Sequence, residues 1–268
     1  MLFGTIAQLV EQRTENPCVP GSIPGGTTKN PICVGFFCIL QNPNSYHLTY
    51  YIDQFNFKKN KFWMFKLMGA YTFNKNLINY DGLEFIKLLG TGSRDGFSII
   101  PDFSSYMMIT KWKNDVIRQK FINENEVIKE IIIKSNKRIE IKIDPYNHIG
   151  SWNRVNPFKN KSNYKGGKIL VLTRARVKFN KLINFIVNTS LAAKSIKSRE
   201  GAEFYKGVGE LPIIEQATIS IWKSEQSMKD YAYSDRNHLK IINKARRNRW
   251  YSEELFVRSN ILHLKEIN

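Results

Sequence analysis

Thiols are nearly missing from this chain of 268 residues: its three cysteines, Cys18, Cys33 and Cys38, all lie in the first 40 positions. None of their spacings matches a zinc site or a Cys-x-x-Cys redox pair, so any chemistry in the remainder proceeds without a thiolate. Long apolar runs are absent too. A helix that crosses a bilayer needs roughly 20 consecutive apolar residues, and Ile32–Leu40 falls far short, which predicts a cytoplasmic protein, at most peripheral to a membrane. Acidic residues are few: 23 Asp and Glu against 41 Lys and Arg leave a formal charge of +18. Such an excess invites a nucleic-acid or anionic-membrane partner. The chain is crowded with Lys, Asn and Ile throughout, however, the residues that A- and T-rich codons specify, and codon bias accounts for the charge without a partner. No aromatic strand signature of an RNA-reading sheet is present, and no nucleic-acid partner is expected.

A dinucleotide loop is also excluded. Gly90, Gly92 and Gly96 follow a strand-like run, but the third glycine comes one position late. The residues after it, Phe97–Pro101, read as extended chain, whereas a pyrophosphate needs the N-terminus of a helix there. A hairpin loop is the expectation.

Residues 1–30 lack periodicity and are punctuated by Pro17, Pro20, Pro24, Gly25 and Gly26. Back-translation of Ala7–Gln12 and Val19–Gly25 accommodates the D arm and the TψC arm of a transfer-RNA gene, in the right order. The expectation is that residues 1–44 are a leader, disordered or translated from too far upstream, outside the folded body.

Within the body one pattern occurs twice. Leu83–Gly90 leads through an apolar run to Trp112 and Lys113, and Ala202–Gly209 leads likewise to Trp222 and Lys223. Around each copy the periodicities predict β-α-β-β-α-β. The first has strands near 46–52, 83–90, 106–112 and 138–144, with helices over 59–74 and 113–121. The second has strands at 168–177, 202–209, 217–222 and 255–262, with helices over 181–193, from Ser224 and from Asp235. That order is the ferredoxin-like one. The predicted fold class is therefore α+β, with modules at 45–145 and 168–268 joined by a polar, glycine-containing linker at 146–167. Two such modules can close on each other around one apolar interior.

Among candidate site residues His238 is the most informative. On a helix beginning near Asp235 it shares a face with Ile241, Ile242, Ala245 and Arg249. Burial and the helix N-terminus both favour a neutral imidazole with a lone pair for a metal. A core histidine satisfied by backbone groups is the alternative. Arg246, Arg247 and Arg249 could pair with ligand carboxylates or form a solvated face.

Several separated motifs together resemble the spheroidene monooxygenase family. They are Leu172–Ala175, Phe204–Pro212, Gln216–Trp222, Tyr231–Tyr233, His238 and Trp250–Arg258, in order over roughly 90 residues, with Phe62–Trp63, Leu88–Gly92 and Gly96–Phe97 in the first half. His148, Gly150 and Trp152 followed by Pro157 and Phe158 resemble the family's linker, with one additional residue between His148 and Gly150. The resemblance implies two ferredoxin-like modules in a pseudo-dimeric α+β barrel. It also implies a haem-dependent oxygenase that inserts oxygen from O₂ into a carotenoid or other apolar substrate, with electrons from reduced ferredoxin. By this reading His238 holds the iron, Arg246 or Arg249 neutralises a propionate, Trp222 belongs to the cofactor-binding set, and His148 is a catalytic-site residue or the rival ligand. Substrate access would involve peripheral membrane contact. The alternative is a non-enzymatic haem- or lipid-binding barrel.

Overall fold

The computed structural model describes residues 48–58, 79–93, 100–160, 162–183, 201–211, 214–234, 243–245 and 247–268. The expected leader, the helix over 59–74, most of the helix over 181–193, and His238 and Arg246 lie outside the described residues.

Among the described residues eight strands run β1 (Thr49–Asn56), β2 (Leu83–Gly92), β3 (Pro101–Trp112), β4 (Lys137–Gly150), β5 (Ile169–Val177), β6 (Ala202–Leu211), β7 (Glu215–Trp222) and β8 (Tyr251–Ile267). Three α-helices accompany them among the described residues: α1 (Asp115–Glu124), α2 (Glu126–Lys134) and α3 (Glu225–Ser234). All strand pairs are antiparallel, and they close into a barrel in the order β1-β3-β2-β6-β7-β5-β8-β4. Each half alone has the order 4-1-3-2 of a ferredoxin-like sheet, so the barrel is the α+β architecture the repeat predicts. The halves meet through a short seam, Gly90 opposite Gly209 and Thr91 opposite Val208, and a long one between β4 and β8. Closure removes the free edges that an open sheet would expose to aggregation.

The repeated segments occupy equivalent strands. Trp112 stands opposite Thr49 and Leu83; Trp222 stands opposite Ile169 and Ala202. Both hairpins then slip by one residue, between Leu83 and Phe85 and between Ala202 and Phe204. The turn before each is repeated as well. Gly82 (φ 81°) and Gly201 (φ 103°) adopt left-handed backbone that an L side chain resists, and their carbonyls accept from Lys113 and Lys223, each at 2.9 Å. The next residue caps a helix in both halves: Asn114 Oδ1 accepts from Ile117 N at 2.9 Å, and Ser224 Oγ from Ser227 N at 3.1 Å. Seven residues into each helix segment an aromatic ring covers the tryptophan, Phe121 at 4.7 Å from Trp112 and Tyr231 at 5.1 Å from Trp222.

Strand alternation sorts side chains to two sides of the barrel wall. One set, including Tyr50, Ile52, Leu89, Met107, Ile109, Ile141, Leu170, Leu172, Val208, Ile219 and Val257, fills the lumen as one cluster. The other set packs beneath the helices, around Trp112 and Phe121 in the first half and around Trp222 and Met228 in the second.

Two elements differ from expectation. Residues 126–134 form a helix that the sequence reading left unassigned. Its run of isoleucines reads as strand by propensity, but Asn125 Oδ1 caps Ile128 N at 3.2 Å, and Ile128 and Ile131 lie on one buried face. Strand β4 runs on to Gly150, past the expected module end at 145, because β8 pairs with it from Arg138 through Gly150.

Candidate functional site

Just past β4 the chain turns over one end of the barrel and inserts two rings. Trp152 and Phe158 are buried to 2% and 0% exposure and belong to the lumen cluster. Phe158 stacks on Tyr50 at 5.8 Å, and Trp152 meets Phe85 edge-on at 5.5 Å. The Tyr50 hydroxyl donates to the Lys159 carbonyl at 3.1 Å. The linker is thus a plug seated in the barrel mouth.

A charged cluster holds the plug. Arg174, 1% exposed and on the lumen side of β5 with Leu170 and Leu172, lies 4.9 Å above the Trp152 ring. Its guanidinium donates to Glu253 at 2.6 Å and to Asn153 Oδ1 at 3.3 Å, with Glu215 at 3.6 Å and Glu210 at 3.8 Å. Glu210 accepts from the Trp152 indole at 2.7 Å and from Lys87 Nζ at 2.6 Å, which ties β6 to β2 across the seam. Glu253 also accepts from Ser151 Oγ at 2.7 Å, Asn153 N at 3.1 Å and Arg154 N at 2.6 Å. Arg176 completes the set, donating to Glu215 at 2.7 Å and to Asn153 Oδ1 at 2.7 Å.

The electrostatics define what this cluster can do. Burial pushes the Glu253 carboxyl up, but the Arg154 backbone donor, Arg174 and Ser151 outweigh it and bring the pKa down to about 2. Burial likewise raises Glu210, and Lys87 and the Trp152 indole reverse it, for a net lowering. Carboxylates held this low stay ionised at neutral pH. They clamp charge and do not carry protons for general acid or base work.

His148 pairs across the barrel wall with Val257, a lumen residue, and so stands on the inner face of β4. Burial lowers its pKa, which leaves the imidazole neutral at pH 7, although a hydrogen bond with the Asn160 backbone opposes the shift. Its Nδ1 lies 3.2 Å from Asn156 Nδ2. The ring is therefore engaged with the linker through Asn156. His263 is half exposed, 3.9 Å from Glu140. Among the described residues no group of three or more His, Cys, Asp or Glu side chains is arranged to hold a metal ion. His148 is thus a lumen-side histidine whose Nδ1 stands beside the linker residue Asn156.

The remaining predicted site residues are dispersed. Trp222 packs on the outer wall beneath α3, its indole donating to Ser220 Oγ at 2.9 Å. Arg249 is exposed in the turn before β8, with φ 47°. Arg174, Glu210 and Glu253 belong to motifs noted in the sequence without a role. The signal for Arg174 was available: a charge at the i, i+2, i+4 positions of Leu170 and Leu172 must share their buried face.

The fold and site define a pseudo-dimeric α+β barrel whose lumen is apolar and whose one mouth is sealed by an ion-clamped linker. Comparison with known sequences gives the relationship. The chain is 28% identical over 220 residues to spheroidene monooxygenase of Cereibacter sphaeroides, covering 80% of this chain and 66% of that protein. The enzyme of the same name from Rhodobacter capsulatus is 26% identical over 183 residues, 67% of this chain and 76% of the other, and that from Rubrivivax gelatinosus 28% over 177 residues, 66% and 68%. The chain is thus similar in sequence to the spheroidene monooxygenases and spans about two thirds to three quarters of their length. No protein-family model matches it. Among solved structures an aldoxime dehydratase superposes with a TM-score of 0.49 at 9% identity, over 82% of this chain and 81% of the other.

Proposed function

We propose that the protein is an oxygenase of the spheroidene monooxygenase type, inserting oxygen from O₂ into a carotenoid or another elongated apolar substrate. The observation that carries this reading is the similarity over 220 residues to proteins of that name. It is supported by the way residues from four separated motifs, Trp152, Arg174, Glu210 and Glu253, come together at one barrel mouth.

Haem is the proposed cofactor and His238 the proposed axial ligand, with Arg246 or Arg249 at a propionate. When bound, haem would supply the redox chemistry that this chain, without thiols beyond position 38, lacks. Within the described residues the chain's own part is to exclude water: Trp152 and Phe158 close the mouth, and the clamp keeps them there. Electrons from reduced ferredoxin complete the proposal.

The test is purification after haem-supplemented expression. The expected result is a Soret band that His238→Ala removes and His148→Ala leaves, together with gain of one oxygen atom by an acyclic carotenoid in cells that accumulate it. A band lost only in His148→Ala would move the iron to the linker histidine. A second reading, a non-enzymatic barrel, is favoured by the continuous packing of the lumen with the protein's own side chains. Colourless protein and unchanged carotenoid would establish it.

A further inference from the structure

The plugged mouth of the barrel carries a surface that the oxygenase reading does not use. Strand β5 brings Arg174 and Arg176 to the linker at that mouth and ends at Val177. The chain then turns, with Lys178 N donating to the Trp250 carbonyl at 2.8 Å, and forms a short 3-10 helix, Phe179–Lys181. Leu182 faces inward, against Val177, Ala245 and Trp250. Phe179 and Ile183 face the other way. They are 83% and 79% exposed, among the most exposed large apolar side chains described. At the tip of the linker, joined to β5 through the Arg176–Asn153 hydrogen bond, Val155 is 65% exposed. The surrounding charges are basic: Arg154, Arg247 and Arg249 are exposed, and Lys178 and Lys181 partly so.

We infer that this face docks on the surface of an anionic lipid bilayer. Two large apolar groups ringed by cations match an interfacial anchor. The rings and aliphatic chains enter the headgroup–acyl boundary, while Lys and Arg meet lipid phosphates. Overall charge alone would favour any anionic surface equally. What singles out this face is the coincidence of outward Phe179, Ile183 and Val155 with that charge. Elsewhere the exposed apolar residues Val116 and Ile133 sit on helices beside Asp115 and Glu130, Ile100 lies near Asp102, and Leu262 and Leu264 of β8, near Lys265 and Glu266, are only 48% and 51% exposed. Docked this way, the plugged mouth lies against the membrane, where an apolar substrate would be dissolved. The inference itself does not depend on catalysis, because vesicle binding is read without turnover.

The experiment is co-sedimentation of the full chain with vesicles of phosphatidylcholine alone or mixed with phosphatidylglycerol, at physiological ionic strength. Wild type is expected to bind the mixed vesicles and to prefer them strongly over phosphatidylcholine. The Phe179→Ser, Ile183→Ser double variant should bind roughly tenfold or more weakly. A Lys181→Glu, Arg247→Glu pair should lose at least roughly fivefold per residue. Controls with the same chemistry on another face, Val116→Ser with Ile133→Ser and Lys120→Glu with Lys129→Glu, should bind as wild type does. Circular dichroism and thermal unfolding check that each variant is folded. Absence of binding, or equal loss in the two charge-reversal pairs, overturns the inference. It is overturned too if the serine pair leaves vesicle binding unchanged and instead dissolves self-association seen by sedimentation velocity, which would make the face a contact between copies.

Discussion

Where β1 carries Asp53, the equivalent position of β5 carries Thr173, and where α1 carries Arg118, α3 carries Met228. Asp53, fully buried, accepts from Arg118 at 3.1 Å and from Arg138 at 2.8 Å, and Glu140 accepts from both arginines. Arg118 lies flat on Tyr51 at 3.7 Å. The second half fills the Asp53–Arg118 position with Met228, Phe256 and Trp222, and keeps an ion pair in that layer, Arg258 donating to Glu225 at 2.8 Å. Inside the barrel the assignment reverses. Gln54, Ser105 and Thr91 are the positional equivalents of Arg174, Glu215 and Glu210, and the first trio is neutral, with Gln54 donating to Ser105 at 3.1 Å. One backbone plan has thus been given its multi-ion cluster on opposite sides of its wall. Both halves tie a helix to the sheet by a strand-to-helix pair, Lys142 with Asp115 and Arg258 with Glu225, but the larger cluster braces the helix layer in the first half and the linker in the mouth in the second.

The largest test of that contrast is Asp53→Ala, which removes the fully buried carboxylate between two buried guanidiniums and leaves them only Glu140 to share. Loss of about 3–5 kcal/mol is expected in urea unfolding, against about 1 kcal/mol for Thr173→Ala at the matched site. Equal losses would dissolve the distinction. Next comes the plug. Trp152→Ala removes a buried ring and one of the donors to Glu210, for about 3–5 kcal/mol, and hydrogen exchange should rise in the linker before it rises in β1.

The glycine turns sharpen the symmetry. Alanine at Gly201 would place its Cβ 2.7 Å from the Ser227 Cβ, which cannot swing aside, while at Gly82 the clash is with the Cδ1 and Cγ2 methyls of Ile117 at 2.7 and 2.8 Å, which side-chain rotation moves. Both substitutions incur left-handed strain of about 1–3 kcal/mol, and Gly201→Ala should be the worse by thermal unfolding. A smaller effect belongs to acid. The folded-state pKa of Glu253, about 2, lies below its ordinary 4.5. Its contribution is therefore complete above about pH 4.5 and is lost as pH falls toward about 2. Glu253→Gln should flatten that acid limb and leave the half built on Asp53 unaffected. Smallest of all, Lys120→Gln, which breaks an exposed i, i+4 pair with Glu124, should change stability by no more than about 0.5 kcal/mol.

Much of the fold was legible because its signals are local and repeated. Leu83–Trp112 and Ala202–Trp222 each carry strand alternation, a hairpin and a helix cap within some thirty residues, and local signals that agree twice specify one unit used twice. The helix at 126–134 was hidden because β-branched isoleucines favour strand until a cap and a sheet to pack on decide otherwise. The candidate site was legible only in part. Trp152, Arg174, Glu210 and Glu253 were visible as motif residues, but they come from the linker and three different strands.

By itself the sequence determined the order of the strands, the helix after the third strand of each half, the duplication and the absence of thiols beyond position 38, since each depends on residue type and short-range spacing. Only tertiary structure decided that β4 and β8 close the barrel, that the linker enters its mouth and that three glutamates surround one arginine. Those contacts join residues as far apart as Arg174 and Glu253. Their existence depends on ring closure, which brings distant strands to one rim whatever the local pattern of each.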